Sequence, residues 1–468
     1  MRLEALVTAD EVRRAEQAHA GALEELMERA GTAVAQIVLQ RFPGRVTVVC
    51  GGGNNGGDGR VCARVLTEEG RDVTVVENFG DLGEPDVIVD ALLGIGLKEE
   101  PREEATRMIE LINATEKPVV AVDVPSGVAA STGEVPGAAV QAALTVTFGA
   151  AKVGLAVAPG RLHAGSVHVA PIGLAVGEHE HALVPATALA EVPRKSPTST
   201  KYRAGSVLVV GGSRGLTGAP MLAALAALRA DAGYVTIAAP ESTLPTIESR
   251  VLEAVKRPLP EDSSGRLLPR AADAVLEAAE RADVVALGPG LGRSDGTREL
   301  VRILLERLAT PVVLDADALW ELEPFERPAA TVLTPHSGEL ARLLATTADE
   351  IDAHRLESVR RAASIFGSVV LLKGTDTLVA APREGVLVAA YGRPSLATAG
   401  TGDVLTGIVA AFLAKGLAAR EGAAAAAVAH GLASRLVEAQ AGLVASDLLP
   451  ALQRALTGDG WQWEPLAS

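Results

Sequence analysis

Two glycine-rich segments, each with an aspartate, carry most of the chemical information in this sequence. The first is GGGNNGGDG at residues 51–59, with Asp58, and the second is TAGTGDVLTG at residues 398–407, with Asp403. Glycines free backbone N–H groups to bind an anion, and the start of a following helix adds its dipole. A carboxylate beside a phosphate is unfavourable unless it hydrogen-bonds a sugar, binds a cation or moves a proton. Both segments therefore predict nucleotide sites in which an acid takes part, although solvated turn residues or an N-cap aspartate would read similarly.

Three further polar residues of the first half follow short apolar runs. Asp90 ends VIVD, Asp123 ends VVAVD, and Ser126 comes shortly after. Together with Asn55 they would bring amide, carboxylate and hydroxyl oxygens to one edge of a sheet. Such a hard oxygen site suits a monovalent or alkaline-earth cation better than zinc.

The first glycine-rich segment also allows a simpler interpretation. Gly51, Gly53 and Gly56 match the GxGxxG pattern, and Glu77 ends the next predicted strand. This pattern is typical of hydride-transferring dinucleotide folds, but alone it is a weak signal.

In the second half, Asp403 lies beside glycines that would face a transferring phosphate. A carboxylate in that place is most useful as a base that removes a proton from an attacking hydroxyl. His336 lies between a predicted strand and a helix, and as a lone histidine it favours a structural role. Asp315 and Asp317 in VVLDADAL are either paired acids or polar residues at a strand end.

The elements that position these residues alternate between Val-rich strands and Ala/Leu/Glu-rich helices. This alternation predicts βαβ units and two three-layer α/β domains. The segment at 191–201 is rich in Pro, Ser and Thr and predicts a linker between domains at 1–190 and 202–468. Thr8 and Glu11 fit a capping box and predict one long helix through about Leu39. The predicted strands are Val46–Cys50, Val73–Glu77, Val87–Val89, Val119–Val122, Leu144–Phe148, Ser166–Val169, Ser206–Val210, Tyr234–Ala238, Val284–Leu287, Val312–Leu314, Thr331–Leu333 and Val369–Leu372.

Composition narrows the classes of partner. The 468 residues carry a net charge of −15, which argues against general nucleic-acid binding. No apolar run is long enough to span a membrane, and the N-terminus has no apolar signal core, so we expect a cytoplasmic protein without a membrane partner.

The first half resembles a known family. NNGGDG, DALLGIG and DVPSG, in this order and spacing, resemble the NAD(P)H-hydrate epimerase domain, which has a Rossmann-like fold. The resemblance implies that Asp123 contacts the nucleotide and transfers a proton, and that Asn55, Asp90 and Ser126 hold K⁺. It further implies that two segments line the hydrated nicotinamide nucleotide. Their residues are Asn54, Asn55, Gly56, Gly57 and Asp58 in the first segment, and Gly94, Ile95, Gly96, Leu97, Lys98, Glu99 and Glu100 in the second.

The second half resembles the ADP-dependent NAD(P)H-hydrate dehydratase domain, which has a ribokinase-like fold. The similarity rests on the ordered motifs TGAP, GPGLG, DADAL, TPHSGE, LLKGTDT and AGTGDVLTG. The resemblance implies hydrate contacts at Ala219, Gly290, His336 and Asp403, with Asp403 catalytic. It implies nucleotide contacts at Lys373, Gly374, Thr375, Asp376, Thr377 and Gly402.

As a whole, the chain is similar to fusions of these two domains, which repair hydrated NAD(P)H. The resemblance implies K⁺ in the first domain, Mg²⁺ in the second, ADP as co-substrate and a homo-oligomer. Two alternatives stay open: a ribokinase-like kinase of a vitamin precursor fused to a dinucleotide-binding module, and a first domain that only senses nucleotide or binds proteins.

Overall fold

The computed structural model describes residues 1–438 and 441–466 of a chain that forms two compact units. The N-terminal unit consists of Glu4–Leu183, Asp352–Leu356 and Leu466, and the C-terminal unit consists of Met1–Leu3, Val184–Ile351 and Glu357–Pro465.

The N-terminal unit contains nine strands and six helices among the described residues. The strands are β1 (Glu4–Val7), β2 (Val46–Cys50), β3 (Val73–Glu77), β4 (Val87–Ala91), β5 (Val119–Val122), β6 (Leu144–Phe148), β7 (Ala151–Lys152), β8 (Ser166–Ala170) and β9 (His181–Leu183). The helices are α1 (Ala9–Ala18), α2 (Leu23–Arg41), α3 (Asn54–Glu68), α4 (Glu103–Ala114), α5 (Val153–Ala156) and α6 (Gly160–His163).

Six of these strands form a parallel sheet in the order β3-β2-β4-β5-β6-β8. Alternate side chains of a strand point to opposite faces. Val48 accordingly packs with α2 and α3, and Val49 packs with α4 on the other face. The sheet grows from β2 first towards β3 and then towards β4, so the switch point lies between the carboxyl ends of β2 and β4. Ligands of open α/β sheets bind at such a point.

The N-terminal helical segment differs from its prediction. The capping box of Thr8 and Glu11 is present, but α1 ends at Ala18 and α2 begins only at Leu23. The intervening His19 is extended, and Gly21, a poor helix former, follows it. The prediction of a single helix was therefore wrong.

The C-terminal unit contains a second, larger sheet. Its strands are β10 (Ser206–Val210), β11 (Tyr234–Pro240), β12 (Val255–Leu259), β13 (Val284–Leu287), β14 (Val312–Leu314), β15 (Thr331–Leu333), β16 (Val369–Leu372), β17 (Thr377–Ala380) and β18 (Leu387–Ala389). The remaining helices of the chain are α7 (Gly218–Arg229), α8 (Leu244–Glu248), α9 (Ala272–Ala279), α10 (Asp295–Arg307), α11 (Ser337–Leu343), α12 (Ala348–Ala353), α13 (Arg355–Phe366), α14 (Thr401–Ala414), α15 (Ala419–Leu436) and α16 (Leu448–Thr457).

In this unit the strand order is β12-β11-β10-β13-β14-β15-β16-β17-β18. Pairing is parallel from β12 to β16 and antiparallel for β17 and β18. The sheet changes its direction of growth at β10 and β13, and α14 packs against α7 and α15. A Cβ on Gly407 would overlap the carbonyl oxygen of Ala223, so this glycine allows α14 to approach α7 closely.

All twelve predicted strands are present, and three of them extend one or two residues further. Those missed are β1, β7, β9, β12, β17 and β18, which are edge, short or antiparallel strands. The predicted α/β class with Rossmann-like and ribokinase-like domains is confirmed by the parallel sheets and by the solved structures compared below. Among the described residues, no helix is long and apolar enough to cross a bilayer.

Candidate functional site

A cleft of about 830 Å³ opens at the switch point of the N-terminal unit. One wall comes from α1 and α2, including Glu16 and Met27, and the floor comes from the loops after β2 and β4. Predicted substrate-binding residues that line the cleft are Asn54, Asn55, Asp58, Gly94, Ile95, Gly96, Leu97 and Asp123. The break between α1 and α2 therefore shapes the site, which the expectation of a single packing helix had missed.

The NNGGDG segment forms the first turns of α3 and not a loop. The helix begins at Asn54, whereas the sequence predicts a helix only after this segment. A Cβ on Gly56 would overlap the Gly51 carbonyl oxygen, and one on Gly57 would lie 2.6 Å from the Met27 side chain. These glycines thus let α3 pack closely on β2 and α2, and neither Gly56 nor Gly57 lines the cleft.

Asp123 lies directly after β5, at a left-handed φ of 65° that its backbone N–H stabilises by donating to Val146 O at 2.8 Å. Lys152 donates from Nζ to Asp123 Oδ1, and also to Thr147 Oγ1 at 2.9 Å and to Phe148 O at 3.0 Å. Thr147 Oγ1 donates to the same Asp123 oxygen at 2.9 Å. The cleft therefore contains an aspartate whose charge is balanced by a buried lysine.

The acids around Asp123 have raised pKa values. Burial, followed by the charges of Asp123 and Glu16, raises the pKa of Asp58 to about 8. Burial and the charge of Asp123 also raise the pKa of Glu16. At neutral pH, Asp58 can therefore donate a hydrogen bond or a proton into the cleft.

The three predicted K⁺ ligands meet beneath the cleft, around Leu93. Asp90 is fully buried and accepts hydrogen bonds from Ser126 Oγ at 2.6 Å and Ser126 N at 2.8 Å. Asn55 Nδ2 donates to Leu93 O at 2.8 Å, and Leu93 N donates to Ser126 Oγ at 2.8 Å. Burial raises the pKa of Asp90, and no lysine or arginine of the described chain forms an ion pair with it. Buried carboxylates are normally paired or bound to a cation, so these oxygens fit a monovalent cation.

Lys98, Glu99 and Glu100 line a neighbouring open groove of about 800 Å³ instead of the cleft. Gly96 and Leu97 line both spaces, so the segment 94–100 forms the ridge between them.

In the C-terminal unit, the loops after β10 and β13 are joined at the switch point. Gly212 N donates to Pro289 O at 2.9 Å, and Ser213 Oγ donates to Gly290 O at 3.0 Å. A Cβ on Gly290, which has a φ of 66°, would lie 3.2 Å from Ala219 Cβ. The structure thus brings together two predicted hydrate-binding residues.

Asp403 lies in the first turn of α14, which begins after Gly400 in a left-handed conformation with φ 90°. A Cβ on Gly400 would lie 2.7 Å from the Leu222 side chain, so the start of α14 faces the first turns of α7 near Ala219. Burial and then the charge of Asp315 raise the pKa of Asp403 to about 7. A carboxyl group with such a pKa can lose and regain a proton near neutral pH.

Lys373 reaches this same helix start. Its Nζ donates to Asp315 Oδ1 at 2.8 Å, lies 3.7 Å from Glu339 Oε2, and would lie 3.3 Å from a Cβ on Gly402. Burial opposes its charge, but the two acids outweigh burial and raise the pKa of Lys373. Asp315 Oδ2 also accepts from Thr406 Oγ1 on α14 at 2.7 Å. Asp315 is therefore a buried anchor that fastens both Lys373 and α14.

Asp317, the second acid of DADAL, has a different task. It accepts from Gly292 N at 2.9 Å and from Arg293 Nε at 3.0 Å, and thereby holds the GPGLG loop. Of the two alternatives considered for Asp315 and Asp317, the structure supports separate structural contacts over a shared catalytic pair.

His336 is the N-cap of α11. Its Nδ1 accepts from Gly338 N at 3.0 Å, and its backbone N–H donates to Glu339 Oε2 at 2.9 Å. About half of the side chain is exposed, and burial of the rest lowers its pKa. A half-exposed imidazole therefore lies beside Glu339, with its Nε2 3.6 Å from Glu339 Oε1.

The other predicted nucleotide-binding residues form the turn between β16 and β17. A Cβ on Gly392 would lie 3.2 Å from Thr375, and Thr377 Oγ1 donates to Gly374 O at 3.0 Å. Asp376 is buried within this turn. The side chain of Lys373 points to α14, so Lys373 does not share the position of the other predicted nucleotide-binding residues, Gly374–Thr377.

Sequence reasoning missed Lys152, Glu16 and the pairing of Lys373 with Asp315. One signal for Lys152 was available, because it is the single charged residue in the apolar stretch FGAAKVGLAVAPG at residues 148–160.

The fold and the two sites define a two-domain α/β protein with one Rossmann-like and one ribokinase-like domain, each with acids at the switch edge of its sheet. The family model described as NAD(P)H-hydrate dehydratase matches residues 207–457, and the model described as YjeF-related protein N-terminus matches residues 23–82 and 77–154. The chain belongs to the family of bifunctional NAD(P)H-hydrate repair enzymes. The predicted family and its two activities are thereby confirmed, and the kinase alternative is not favoured.

The relatives match almost end to end. The bifunctional NAD(P)H-hydrate repair enzymes of Moorella thermoacetica and Escherichia coli K12 are 39% and 36% identical to this chain. The alignments cover 92% and 95% of this chain and 92% and 93% of those proteins.

Solved structures match the C-terminal part. The ADP/ATP-dependent NAD(P)H-hydrate dehydratase of Bacillus subtilis, co-crystallised with ATP and Mg²⁺, is 30% identical with a TM-score of 0.53. It covers 58% of this chain and 95% of its own. A ribokinase-like superfamily protein of Enterococcus faecalis, 24% identical with a TM-score of 0.53, supports the fold; the match covers 59% of this chain and 95% of that protein.

Proposed function

We propose that the C-terminal unit dehydrates hydrated NAD(P)H with ADP, and that the first turn of α14 is the reaction centre. The hydrate carries a hydroxyl at C6 beside the ring nitrogen, and hydroxide is a poor leaving group. Converting the hydroxyl to a phosphate ester solves this problem.

Asp403 is the base of this step. It takes the hydroxyl proton while the hydroxyl oxygen attacks the terminal phosphorus of ADP, and the bond between that phosphorus and AMP breaks. Phosphate then leaves C6 with the bonding electrons, pushed by the ring nitrogen. Loss of a ring proton restores NAD(P)H, so the products are AMP, phosphate and the repaired cofactor. Asp403 can accept a proton at neutral pH because its pKa is about 7.

The backbone N–H groups at Gly400–Gly402 and the ammonium of Lys373 supply positive potential for the charge that develops on phosphate. Ala219, Gly290 and His336 would orient the hydrate, and Gly374–Thr377 would hold the adenine nucleotide.

Mg²⁺ fits this site, because Asp315, Asp317 and Glu339 all contribute negative charge at Asp403. Glu339, whose carboxylate lies 3.7 Å from Lys373 Nζ, is the carboxylate that would hold it together with substrate phosphates. When bound, it neutralises phosphate charge, and Bacillus subtilis dehydratase was crystallised with ATP and Mg²⁺.

The N-terminal unit, in our proposal, interconverts the two C6 epimers, so that the dehydratase receives the epimer it accepts, the S form. Asp123 is the proton-transfer group, and the cleft residues from the α3 start and the 94–100 ridge bind the nucleotide. K⁺ held by Asn55, Asp90 and Ser126 would fix the floor under Leu93, since these oxygens share a buried, uncompensated charge. The homo-oligomeric state, the cytoplasmic location and the lack of nucleic-acid and membrane partners stay predictions.

The observation that carries the dehydratase proposal is the position of Asp403, in the first turn of α14 and beside Lys373. The test is regrowth of NADH absorbance from purified S-NADH hydrate with ADP, ATP or neither, with release of AMP and phosphate measured in parallel. We expect turnover with ADP and one AMP per NADH; release of a phosphorylated organic product without NADH would overturn the proposal.

The same assay tests the epimerase when R-NADH hydrate is supplied in KCl or in NaCl at equal ionic strength. Faster conversion in KCl supports the cation site, and equal rates would remove K⁺ from the proposal.

A further inference from the structure

Lys152 is the most buried charged group of the N-terminal cleft. It is the second residue of β7 and lies opposite Val7 of β1. Its side chain is 1% exposed, and it contributes to the cleft lining. Burying an ammonium is costly unless its charge is balanced and its donors are satisfied. A lysine in this place therefore has a task that an apolar residue of the same length could not perform.

All three ammonium hydrogens of Lys152 have acceptors: Asp123 Oδ1, Thr147 Oγ1 and Phe148 O. With its donors used within the protein, Lys152 is not arranged to exchange protons with a substrate. Its influence on the reaction must pass through Asp123.

The arrangement divides the two carboxylate oxygens of Asp123. Oδ1 receives Lys152 Nζ, Thr147 Oγ1 at 2.9 Å and Phe148 N at 3.3 Å. Within the described part of the chain, Oδ2 has no hydrogen-bond partner, and Asp123 lines the cleft. One oxygen is thus clamped and the other faces the substrate space.

The surrounding acids make this clamp necessary. Asp58 and Glu16 line the same cleft, and both interact electrostatically with Asp123. Without a cation, three carboxyl groups in a half-buried space would compete for protons, and the Asp123 side chain could turn away from its neighbours.

We propose that Lys152 is the positioning residue of the epimerase: it compensates the charge of Asp123 and presents Oδ2 to the substrate. The inference rests on the proposed role of Asp123 in epimerisation. It assigns to a residue outside the recognised motifs an effect on turnover, with little effect on nucleotide binding.

The test compares Lys152→Ala with Lys152→Met in the full chain, with R-NADH hydrate as substrate and the uncatalysed rate subtracted. We expect both variants to lose about 100-fold in kcat with KM little changed, because the base is present but misplaced. In the alanine variant the vacated space opens on the cleft, so n-butylammonium should restore kcat in a saturable manner. Methionine fills that space, so the same amine should not restore its activity.

Two controls separate the possible failures. Circular dichroism and urea unfolding of the same variants report folding of both units, and Lys117→Met removes an exposed lysine of the N-terminal unit. Wild-type kcat in Lys152→Met, or no rescue of a folded Lys152→Ala, would overturn the inference. If the wild-type protein itself shows no epimerisation above background, the proposed epimerase function fails instead.

Discussion

The two units place a lysine differently with respect to their candidate bases. In the N-terminal unit, the acid that faces the cleft, Asp123, is itself paired with buried Lys152. In the C-terminal unit, partly buried Lys373 pairs with Asp315, which is inaccessible, and among the described residues the reacting acid Asp403 forms no ion pair. The same lysine–aspartate pair therefore presents a base in one unit and braces the site in the other.

The difference follows from the elements that carry each acid. Asp123 directly follows β5 in a strained left-handed conformation, and Lys152 holds its Oδ1. Asp403 is held by a helix whose Thr406 is fastened to Asp315 at 2.7 Å. A base on a rigid helix start can remain unpaired, and burial then raises its pKa to about 7.

The largest effect that separates the two sites is expected for Asp403→Asn. Asparagine keeps the shape but cannot accept the hydroxyl proton, so dehydration should fall about 1,000-fold. We expect the variant to regenerate almost no NADH from S-NADH hydrate, while it still epimerises R-NADH hydrate at the wild-type rate. Dehydration at the wild-type rate would remove Asp403 from the mechanism.

Asp123→Asn is the matched change in the other unit. We expect epimerisation to fall about 100-fold, less than for Asp403, because general acid–base catalysis is here a smaller part of a reaction that also proceeds unaided. Chromatographic separation of the epimers measures the rate. Equal rates for variant and wild type would show that another group moves the proton.

The pH dependence of dehydration distinguishes an unpaired base from a paired one. Asp403 must be ionised to accept a proton, and its pKa is about 7, so kcat should fall about tenfold per pH unit below 7 and level off above it. A profile measured from pH 5 to pH 9 at saturating ADP checks this. A rate that stays level down to pH 5 would contradict the pKa assigned to Asp403.

The smallest effect concerns stability and Asp58. Its pKa is about 8 in the folded protein and near 3.8 ordinarily, so the folded state holds this proton more tightly. The resulting stabilisation is complete below the ordinary pKa and is lost as pH rises towards 8. Asp58→Asn should therefore unfold with a free energy about 1–3 kcal/mol higher than wild type at pH 9, and with a smaller difference at pH 5. Urea titration at both pH values tests it, and equal differences would place Asp58 in a solvated environment.

Much of this protein could be predicted from local sequence. Central strands such as Val46–Cys50 and Ser206–Val210 are short, β-branched and bounded by glycine, and buried parallel strands need this composition. The motifs placed Asp90, Asp123 and Ser126 at strand ends, and the sheet brings these ends together. The start of α3 at Asn54 was not predicted, because glycine is a poor helix former by local propensity. The glycines of this helix are needed for close packing against Gly51 and Met27, which are contacts of the tertiary structure.

By itself, the sequence determined the fold class, the family and the acids at each sheet edge, because hydrophobic period, glycine position and motif order are local properties. Only the tertiary structure decided which charges meet. Lys152 lies 29 residues along the chain from Asp123, which it binds, and Lys373 lies 58 residues from Asp315. These pairings and the raised pKa values depend on burial. Burial in turn depends on every element that excludes water from the site, so no single segment of the chain specifies it.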